Sequence, residues 1–281
     1  MKHKFFIIFL SILILFFACN QNKTCDETLL KPPTGQNTEE ETINTENKEE
    51  AQKQQIVDDI KNLLQTVTPI LRVHNDNAWD EDAQGYNLSG QGQIFSVINH
   101  NTTLDKGIMF FRVYNNNDDG SKIARREVYL AFEYNKDYIN AFATLANKLV
   151  ERTTKYDVSK AVEDIMKDIR EYAKAYYLQA FDMINNKKDE LKKLSLDNLN
   201  TLHDKINEIQ EAKTNIVNIV HKIKEDYDTK IKVGSATLQT ISTATDTEII
   251  DYLNSKRVEF ANDINTIKQE ANEITNILTS P

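Results

Sequence analysis

The apolar residues in the second half of the chain recur at intervals of three and four. One stripe, with Lys213 in one of its slots, runs through Leu199, Leu202, Ile206, Ile209, Ile216, Val220, Ile223 and Tyr227. A second stripe, interrupted by Arg257, runs through Ile250, Leu253, Phe260, Ile264, Ile267, Ala271, Ile274 and Leu278. An earlier stripe runs through Val158, Val162, Ile165, Ile169, Tyr172, Tyr176, Ala180 and Met183. This spacing predicts three long helices that each bury one face.

The scarcity of turn-forming residues points to the same fold class. From Ser121 to Ser280 the sequence contains no proline and a single glycine, Gly234. Because glycine and proline usually separate strands and turns, their absence favours helices. We therefore expect an all-α domain over residues 56–281, an antiparallel bundle of about five to seven helices.

Local signals indicate where two of these helices begin and end. Ser195 or Asp197 is expected to cap the helix that starts near Leu199, and the region of Gly234 to end it. The last helix is expected to start at Asp246 or Thr247.

Residues 56–114 show a less regular pattern of apolar positions than the three stripes. The apolar pattern of residues 56–67 predicts an amphipathic helix that Pro69 ends or kinks. Residues 75–92 form a polar stretch that contains the only tryptophan, Trp79. Residues 104–114 fit either a helix or a strand, because residues 108–111 are a solid apolar block, and we favour a helix.

The N-terminus has the layout of a lipoprotein signal peptide, predicted over residues 1–18. Lys2 and Lys4 precede an apolar run from Phe5 to Ala18, which is shorter than the roughly 20 residues of a membrane-spanning helix. Cys19 follows a small residue at the end of this run, as in a bacterial lipobox. We therefore expect cleavage before Cys19 and lipid attachment to its thiol, which would hold the protein to the outer membrane. The alternative is an ordinary secretory signal with an accidental cysteine.

Residues 19–55 are predicted to be a lipidated, disordered tether. From Asn20 to Gln55 there are eight acids, four lysines and almost no large apolar side chain, so little surface could be buried to offset the entropy of ordering. Such a coil would span on the order of 35 Å. Cys25 lies within it, either as a solvated thiol or as a partner in an intermolecular disulfide.

The charge of the chain narrows the classes of partner. The total is −9, and setting aside the signal (+2) and the tether (−4) leaves −7 for the domain. Nucleic-acid binding is driven by cationic surfaces, so we expect no nucleic-acid partner. The expected membrane contact is the lipid on Cys19.

Few residues suggest a metal-binding or catalytic site. Residues 115–120 begin like a calcium loop, but Asn115 and Arg126 occupy the positions of its first and twelfth ligands, so a polar turn that caps the next helix is favoured. The acids Asp76, Asp80, Glu81 and Asp82 suggest a solvated loop. The histidines lack the spacing of a zinc site. We expect no metal, no cofactor and no enzymatic activity.

An aromatic group lies in the third predicted helix. Tyr172 and Tyr176 share the stripe of Ile165 and Ile169, which indicates that they belong to the core. Tyr177 falls off that stripe and is therefore the better candidate for an exposed partner-binding residue.

The stretch from Ile123 to Lys136, IARREVYLAFEYNK, is followed by the ladder of Ile139, Phe142, Leu145 and Leu149. This order of basic, aromatic, small and acidic residues resembles the Borrelia complement-regulator-acquiring surface proteins, a CspA-like paralogous family of outer surface lipoproteins. The resemblance covers roughly residues 122–227. It implies a helical bundle on the cell surface, and its better-known member captures the complement regulator factor H and pairs through its C-terminal helix. Residues 272–281 lack the aromatic-rich ending of that member, so neither factor H binding nor any binding residue is carried over.

Two functional hypotheses are consistent with these observations. The first is an outer surface lipoprotein that presents its helical domain to an unidentified host or tick protein, for adhesion or for immune or complement evasion. The second is an envelope scaffold without a host ligand that self-associates, as a homodimer for example, through the stripe of residues 250–278.

Overall fold

The computed structural model describes residues 38–105, 108–150, 156–228, 231–232, 238–239 and 244–280. The chain divides into two compact units, Met1–Asn44 and Thr45–Pro281. Of the first unit the structure describes residues 38–44, the start of the first helix. The second unit contains the rest of the described fold.

The described residues are mostly helical, which confirms the all-α prediction. The helices are α1 (Thr38–Asn75), α2 (Ile94–Val97), α3 (Asp119–Ala131), α4 (Lys136–Val150), α5 (Tyr156–Ala173), α6 (Asp182–Lys187), α7 (Leu196–Asp228) and α8 (Asp246–Thr279). A π-helical segment, Lys174–Phe181, joins α5 to α6, and two short 3₁₀ turns cover Asp82–Gln84 and Leu191–Lys193. Two small antiparallel hairpins pair β1 (Asn99–Asp105) with β2 (Ile108–Val113) and β3 (Ile231–Lys232) with β4 (Leu238–Gln239).

The two longest helices of the second half, α7 and α8, run antiparallel. Side-chain pairs join them along their length, and the partner's number falls as the number in α7 rises. The pairs are Lys205–Glu270, Asn215–Asp263 and Asp226–Tyr252. The stripes predicted for these helices face the interior, because Leu202, Ile209, Ile267, Ala271 and Ile274 are all fully buried.

Two apolar clusters form the interior. The first joins α1, the π-helical segment, α7 and the C-terminal part of α8, and the second joins residues 88–98 with α3, α4, α5 and the start of α8. Tyr134 packs against both clusters. Tyr134 and its neighbour Glu133 have φ angles of 58° and 55°, a left-handed conformation that is costly for residues with a side chain.

The start of α8 lies at its predicted position, whereas α7 begins three residues before Leu199 and ends six residues before Gly234. The Ser195 hydroxyl accepts a hydrogen bond from the Asn198 N–H (3.2 Å), as expected for one of the two proposed caps. α8 begins at Asp246, and Thr245 caps it in a reciprocal arrangement with Glu248. α7 ends at Asp228, before Gly234, which lies outside the described residues.

α1 differs from the prediction at both ends. It begins at Thr38, within the segment predicted to be a disordered tether, and continues through Pro69 to Asn75. Three glutamates follow Thr38 in the sequence, and acids at a helix N-terminus interact favourably with the helix dipole. Burial nevertheless begins at Val57, next to the boundary predicted at Ile56.

The preference for a helix over residues 104–114 is wrong. These residues belong to the β1–β2 hairpin, in which Asp105 pairs with Ile108 and only Lys106 and Gly107 separate the strands in sequence. A strand with one buried face alternates apolar and polar residues. Both faces of β2 are exposed, so that alternation is absent and the pattern did not identify a strand.

The core of α8 provides a test of this packing. Ile267→Ala removes a fully buried side chain and is expected to lower the free energy of unfolding by about 2–5 kcal/mol. Val258→Ala, on the same helix but 73% exposed, should change it by less than about 0.5 kcal/mol. Urea denaturation measures the free energy of unfolding of both variants. An equal decrease in the two would contradict the assignment of Ile267 to the buried face of α8 and Val258 to its exposed face.

Candidate functional site

The most unusual surface of the described fold is the apolar strand β2. Ile108, Met109, Phe110 and Phe111 are 60%, 55%, 48% and 59% exposed. Among the described residues, four of the seven exposed large apolar side chains are thus consecutive in one strand. Together they present on the order of 400 Å² of apolar surface, summed over the two faces of the strand.

The alternation of a strand divides these side chains between two faces. Ile108 and Phe110 lie on one face of the hairpin, and Met109 and Phe111 lie on the other. β2 pairs with β1 on one edge only, since the sheet has two strands. No backbone hydrogen bond joins residues 108–112 to another described strand, so the second edge of β2 is open.

The base of this hairpin is firmly attached to the domain. The Tyr114 N–H donates to the Ile98 carbonyl (3.3 Å), and the Asn115 N–H donates to the Phe95 carbonyl (2.8 Å). The rings of Phe95 and Tyr114 stack with centroids 5.1 Å apart, and both side chains are buried. The apolar tip therefore projects from an ordered support.

A polar network fixes the turn that leads from β2 into α3. Ser121 is fully buried, and its hydroxyl lies 2.8 Å from His100 Nε2, 2.8 Å from Asp118 Oδ2 and 3.3 Å from the Val113 carbonyl. Asp118 also accepts from the Ser121 N–H (3.0 Å) and so caps α3, which is the polar turn favoured over a calcium loop. These hydrogen bonds from Ser121 lower the pKa of Asp118. Burial, followed by the charge of Arg170, lowers the pKa of His100.

Arg125 and Arg126, the basic pair of the family-like stretch, each tie α3 to an earlier segment. Arg125 Nη1 donates to the Tyr114 carbonyl (2.5 Å), and Arg125 Nε contacts both carboxylate oxygens of Glu81 (2.8 and 2.9 Å). Arg126 Nη2 donates to the carbonyls of Val73 (2.5 Å) and His74 (2.6 Å) at the end of α1. Carbonyls in the last turn of a helix lack hydrogen-bond donors within the helix. Arg126 supplies a donor for two such carbonyls and so caps the C-terminus of α1.

Aromatic rings surround this junction. The Arg126 guanidinium lies 4.8 Å from the ring centroid of Trp79, and that ring packs edge-on against Tyr134 with centroids 5.1 Å apart. Tyr134 Oη lies 3.0 Å from His74 Nδ1. Burial, followed by the positive charge of Arg126, lowers the pKa of His74 to about 4. The loop of residues 76–93 is therefore attached to the domain through Trp79, which is half-buried against the second apolar cluster.

The residues predicted to take part in chemistry have other roles or lie elsewhere. Cys19 and Cys25 lie outside the described residues. Asp76 and Asp80 accept backbone N–H groups of their own turns, and Glu81 pairs with Arg125. In the described part of the chain, no three His, Cys, Asp or Glu side chains are grouped so that they could hold a metal ion.

Tyr177 is not on the surface, so the interpretation of this residue is wrong. It is fully buried, and its hydroxyl donates to Glu133 Oε1 (2.8 Å), which also accepts from Lys213 Nζ (2.5 Å). Burial raises the pKa of the Glu133 carboxyl, but the charge of Lys213 and its hydrogen bond outweigh it and lower that pKa overall. A π-helix has more residues per turn than an α-helix, so the segment turns both Tyr176 and Tyr177 inward. The hairpin, which did present an exposed surface, was missed although residues 108–111 stood out in the sequence.

The helical region matches a known family. The family model described as Borrelia Bbcrasp-1 domain containing protein matches residues 94–279, which is more than half of the chain. The chain belongs to the Borrelia Bbcrasp-1 domain family. This membership confirms the resemblance seen in residues 122–227.

Solved structures of Borrelia outer surface proteins share the fold of this Bbcrasp-1 domain protein. Outer surface protein BBA65 of Borrelia burgdorferi has a TM-score of 0.57 and 14% sequence identity, covering 79% of this chain and 100% of that one. The Borrelia spielmanii protein BSA64, orthologous to BBA64 of B. burgdorferi, has a TM-score of 0.55 and 19% identity, covering 81% and 97%. BBA66 of B. burgdorferi has a TM-score of 0.56 and 11% identity, covering 79% and 99%. At these identities the likeness shows the fold alone.

None of the curated proteins compared with the chain matches it. The family and its structural neighbours are outer surface proteins of Borrelia. Among the described helices, none combines the length and apolar character needed to cross a membrane.

The lowered pKa of His74 predicts a pH dependence of stability. The folded state holds this imidazole neutral down to about pH 4, whereas an unfolded histidine takes up a proton near pH 6.5. Between these values the unfolded state binds more protons, so the free energy of unfolding should fall by about 2 kcal/mol as the pH drops from 6.5 to 4. About one pH unit above 6.5 the unfolded imidazole is neutral as well, so His74 should no longer make the free energy of unfolding depend on pH.

Denaturation at several pH values, for the wild type and for His74→Gln, tests this expectation. In the variant, the free energy of unfolding should no longer show the decrease between pH 6.5 and 4 that His74 causes. The pH dependence that carboxyl groups cause should remain. An NMR titration that placed the His74 pKa near 6.5 would contradict the proposed cause.

Proposed function

We propose that this protein is a lipid-anchored outer surface protein that uses the β1–β2 hairpin to bind a host or tick protein. The observation that carries the proposal is the exposure of Ile108, Met109, Phe110 and Phe111 on a hairpin whose base is fixed. Apolar side chains, aromatic ones above all, contribute most of the binding energy in protein interfaces. A support that is already ordered lowers the entropy lost on binding.

The partner suggested by this surface is a protein with an apolar groove. A groove could enclose the hairpin from both sides, which suits a strand with apolar side chains on both faces. An extended segment of the partner could also pair with the open edge of β2. Adhesion and immune or complement evasion are both roles in which such binding would serve a surface protein.

A role as a self-associating scaffold is less well supported. The stripe of residues 250–278 that would form its contact is directed into the interior of the same chain, where Ile267, Ala271 and Ile274 are fully buried. A dimer would therefore need another surface.

The lipid anchor can be tested through the two cysteines. Cys19→Ala is expected to abolish incorporation of radiolabelled palmitate and to release the protein from the membrane fraction, because Cys19 supplies the acceptor thiol. Cys25→Ala is the matched control and should keep both label and membrane association. If the label persisted in Cys19→Ala, the proposed anchor would be wrong.

The hairpin can be tested with a double variant, Phe110→Ser with Phe111→Ser. Surface-displayed wild-type protein would be exposed to serum and to tick extracts, and the affinity of each captured component measured by surface plasmon resonance. Loss of both rings should weaken a hairpin-bound partner by more than about tenfold. Because both side chains are about half exposed, the melting temperature should stay close to that of the wild type.

The matched control is Val217→Ser with Val258→Ser, which removes two exposed apolar side chains from α7 and α8. It should bind the same component with unchanged affinity. Equal affinity of the hairpin variant and the wild type for every captured component would refute binding through the hairpin.

A further inference from the structure

A second surface has the opposite chemistry. α1 and α6 enclose an open groove of about 390 Å³. Three cations line it: Lys61 and Arg72 from α1 and Lys188 from the end of α6. The groove shares no residue with the hairpin, so a ligand bound in it would be independent of the proposed function.

The positive charge of this groove is weakly compensated. Lys61 Nζ lies 3.9 Å from Asp189, an acid whose side chain is 85% exposed. Lys188 Nζ lies 3.2 Å from Asn185 Oδ1, which is neutral. Arg72 has no ion pair among the described residues. On a chain with a net charge of −9, these three cations form a local concentration of positive charge, and of the three only Lys61 has a carboxylate partner among the described residues.

Another groove of similar volume shows that the fold does neutralise cations elsewhere. It lies beside α8 and is lined by Asp168, Glu171 and Arg257. There Arg257 pairs with Asp168 (2.5 Å) and with Asp164 (3.4 Å). Its cation is therefore already engaged by carboxylates, so an anionic ligand would gain little there.

The geometry of the cationic groove favours a linear ligand. Lys61 and Arg72 are eleven residues apart on one helix, which places them about 16 Å apart along its axis. Lys188 lies on the opposite wall. A chain that carries negative groups at intervals could engage all three cations, whereas a single small anion could engage only one or two.

The remaining lining favours a polysaccharide over an acidic peptide. Gln65, Thr68 and Asn185 offer amide and hydroxyl groups that can bond to sugar hydroxyls and sulfates. Leu64 is only 4% exposed, so Pro69 is the exposed apolar residue of the lining, and its flat ring suits packing against a sugar ring. From the charge and the lining, we propose that this groove binds a linear sulfated polysaccharide.

The test uses a short heparin fragment, long enough to span about 16 Å, and isothermal titration with the full domain at low and physiological salt. Lys61→Gln, Arg72→Gln and Lys188→Gln combined should raise Kd by about tenfold, as expected for three exposed charge contacts. The affinity of the wild type should fall as salt rises. Glutamine keeps the helix propensity of these positions, and circular dichroism checks the fold.

The matched control neutralises three other exposed lysines, Lys122, Lys167 and Lys174, and so makes the same change in net charge. It should leave Kd within about twofold of the wild type. Three results would overturn the proposal: no binding by the wild type, equal loss in both triple variants, or no loss in the groove variant. Polyglutamate of matching length is the last probe, and binding as tight as that of heparin would overturn the assignment to a sulfated polysaccharide.

Discussion

The arrangement of the helices depends on the widened turn at Lys174–Phe181. This segment turns Tyr176 and Tyr177 into the interior together, and α8 packs along it. From α7, Lys213 Nζ lies 5.0 Å from the ring centroid of Tyr176. From the turn after α3, Glu133 accepts the hydroxyl of Tyr177. Three separate parts of the chain thus converge on one irregular stretch of helix, and the strained backbone at Glu133 is held in place by the contacts made there.

Sequence periodicity predicted the fold where the helices are regular and failed where they are not. The stripes through α7 and α8 repeat at 3.6 residues, so most of their buried residues could be predicted, although Val220, Ile223, Ile250 and Phe260 are only partly buried. Tyr177 was misplaced because a π-helix breaks that repeat. The hairpin was missed because periodicity detects burial, and Ile108–Phe111 are buried on neither face. The early start of α1 was missed because the composition of residues 19–55 shows only that they cannot form an apolar core. A helix can nevertheless extend beyond the core to which it belongs.

The local contacts explain why the hairpin is a defined feature and not a loose loop. Its base is joined to α2 and to Ile98, which follows it, by backbone hydrogen bonds, and to α3 by the side chains of Ser121 and Arg125. None of these contacts follows a periodic rule, so a single sequence does not reveal them. The cationic groove is equally non-local, because Lys188 and Arg72 come from different helices.

The open edge of β2 also affects how copies of the protein behave toward one another. An unpaired apolar strand is a template on which a second strand can add, and this is a common origin of aggregation. Arg112 places one charge on this strand, which disfavours the addition of a second strand. The net charge of the whole molecule opposes aggregation more strongly. The full chain carries −9, and loss of the predicted signal (+2) would leave −11, so neighbouring copies repel one another at distances up to about a Debye length, roughly 8 Å in physiological salt. The net negative charge of the chain therefore opposes the association of copies through the exposed edge of β2.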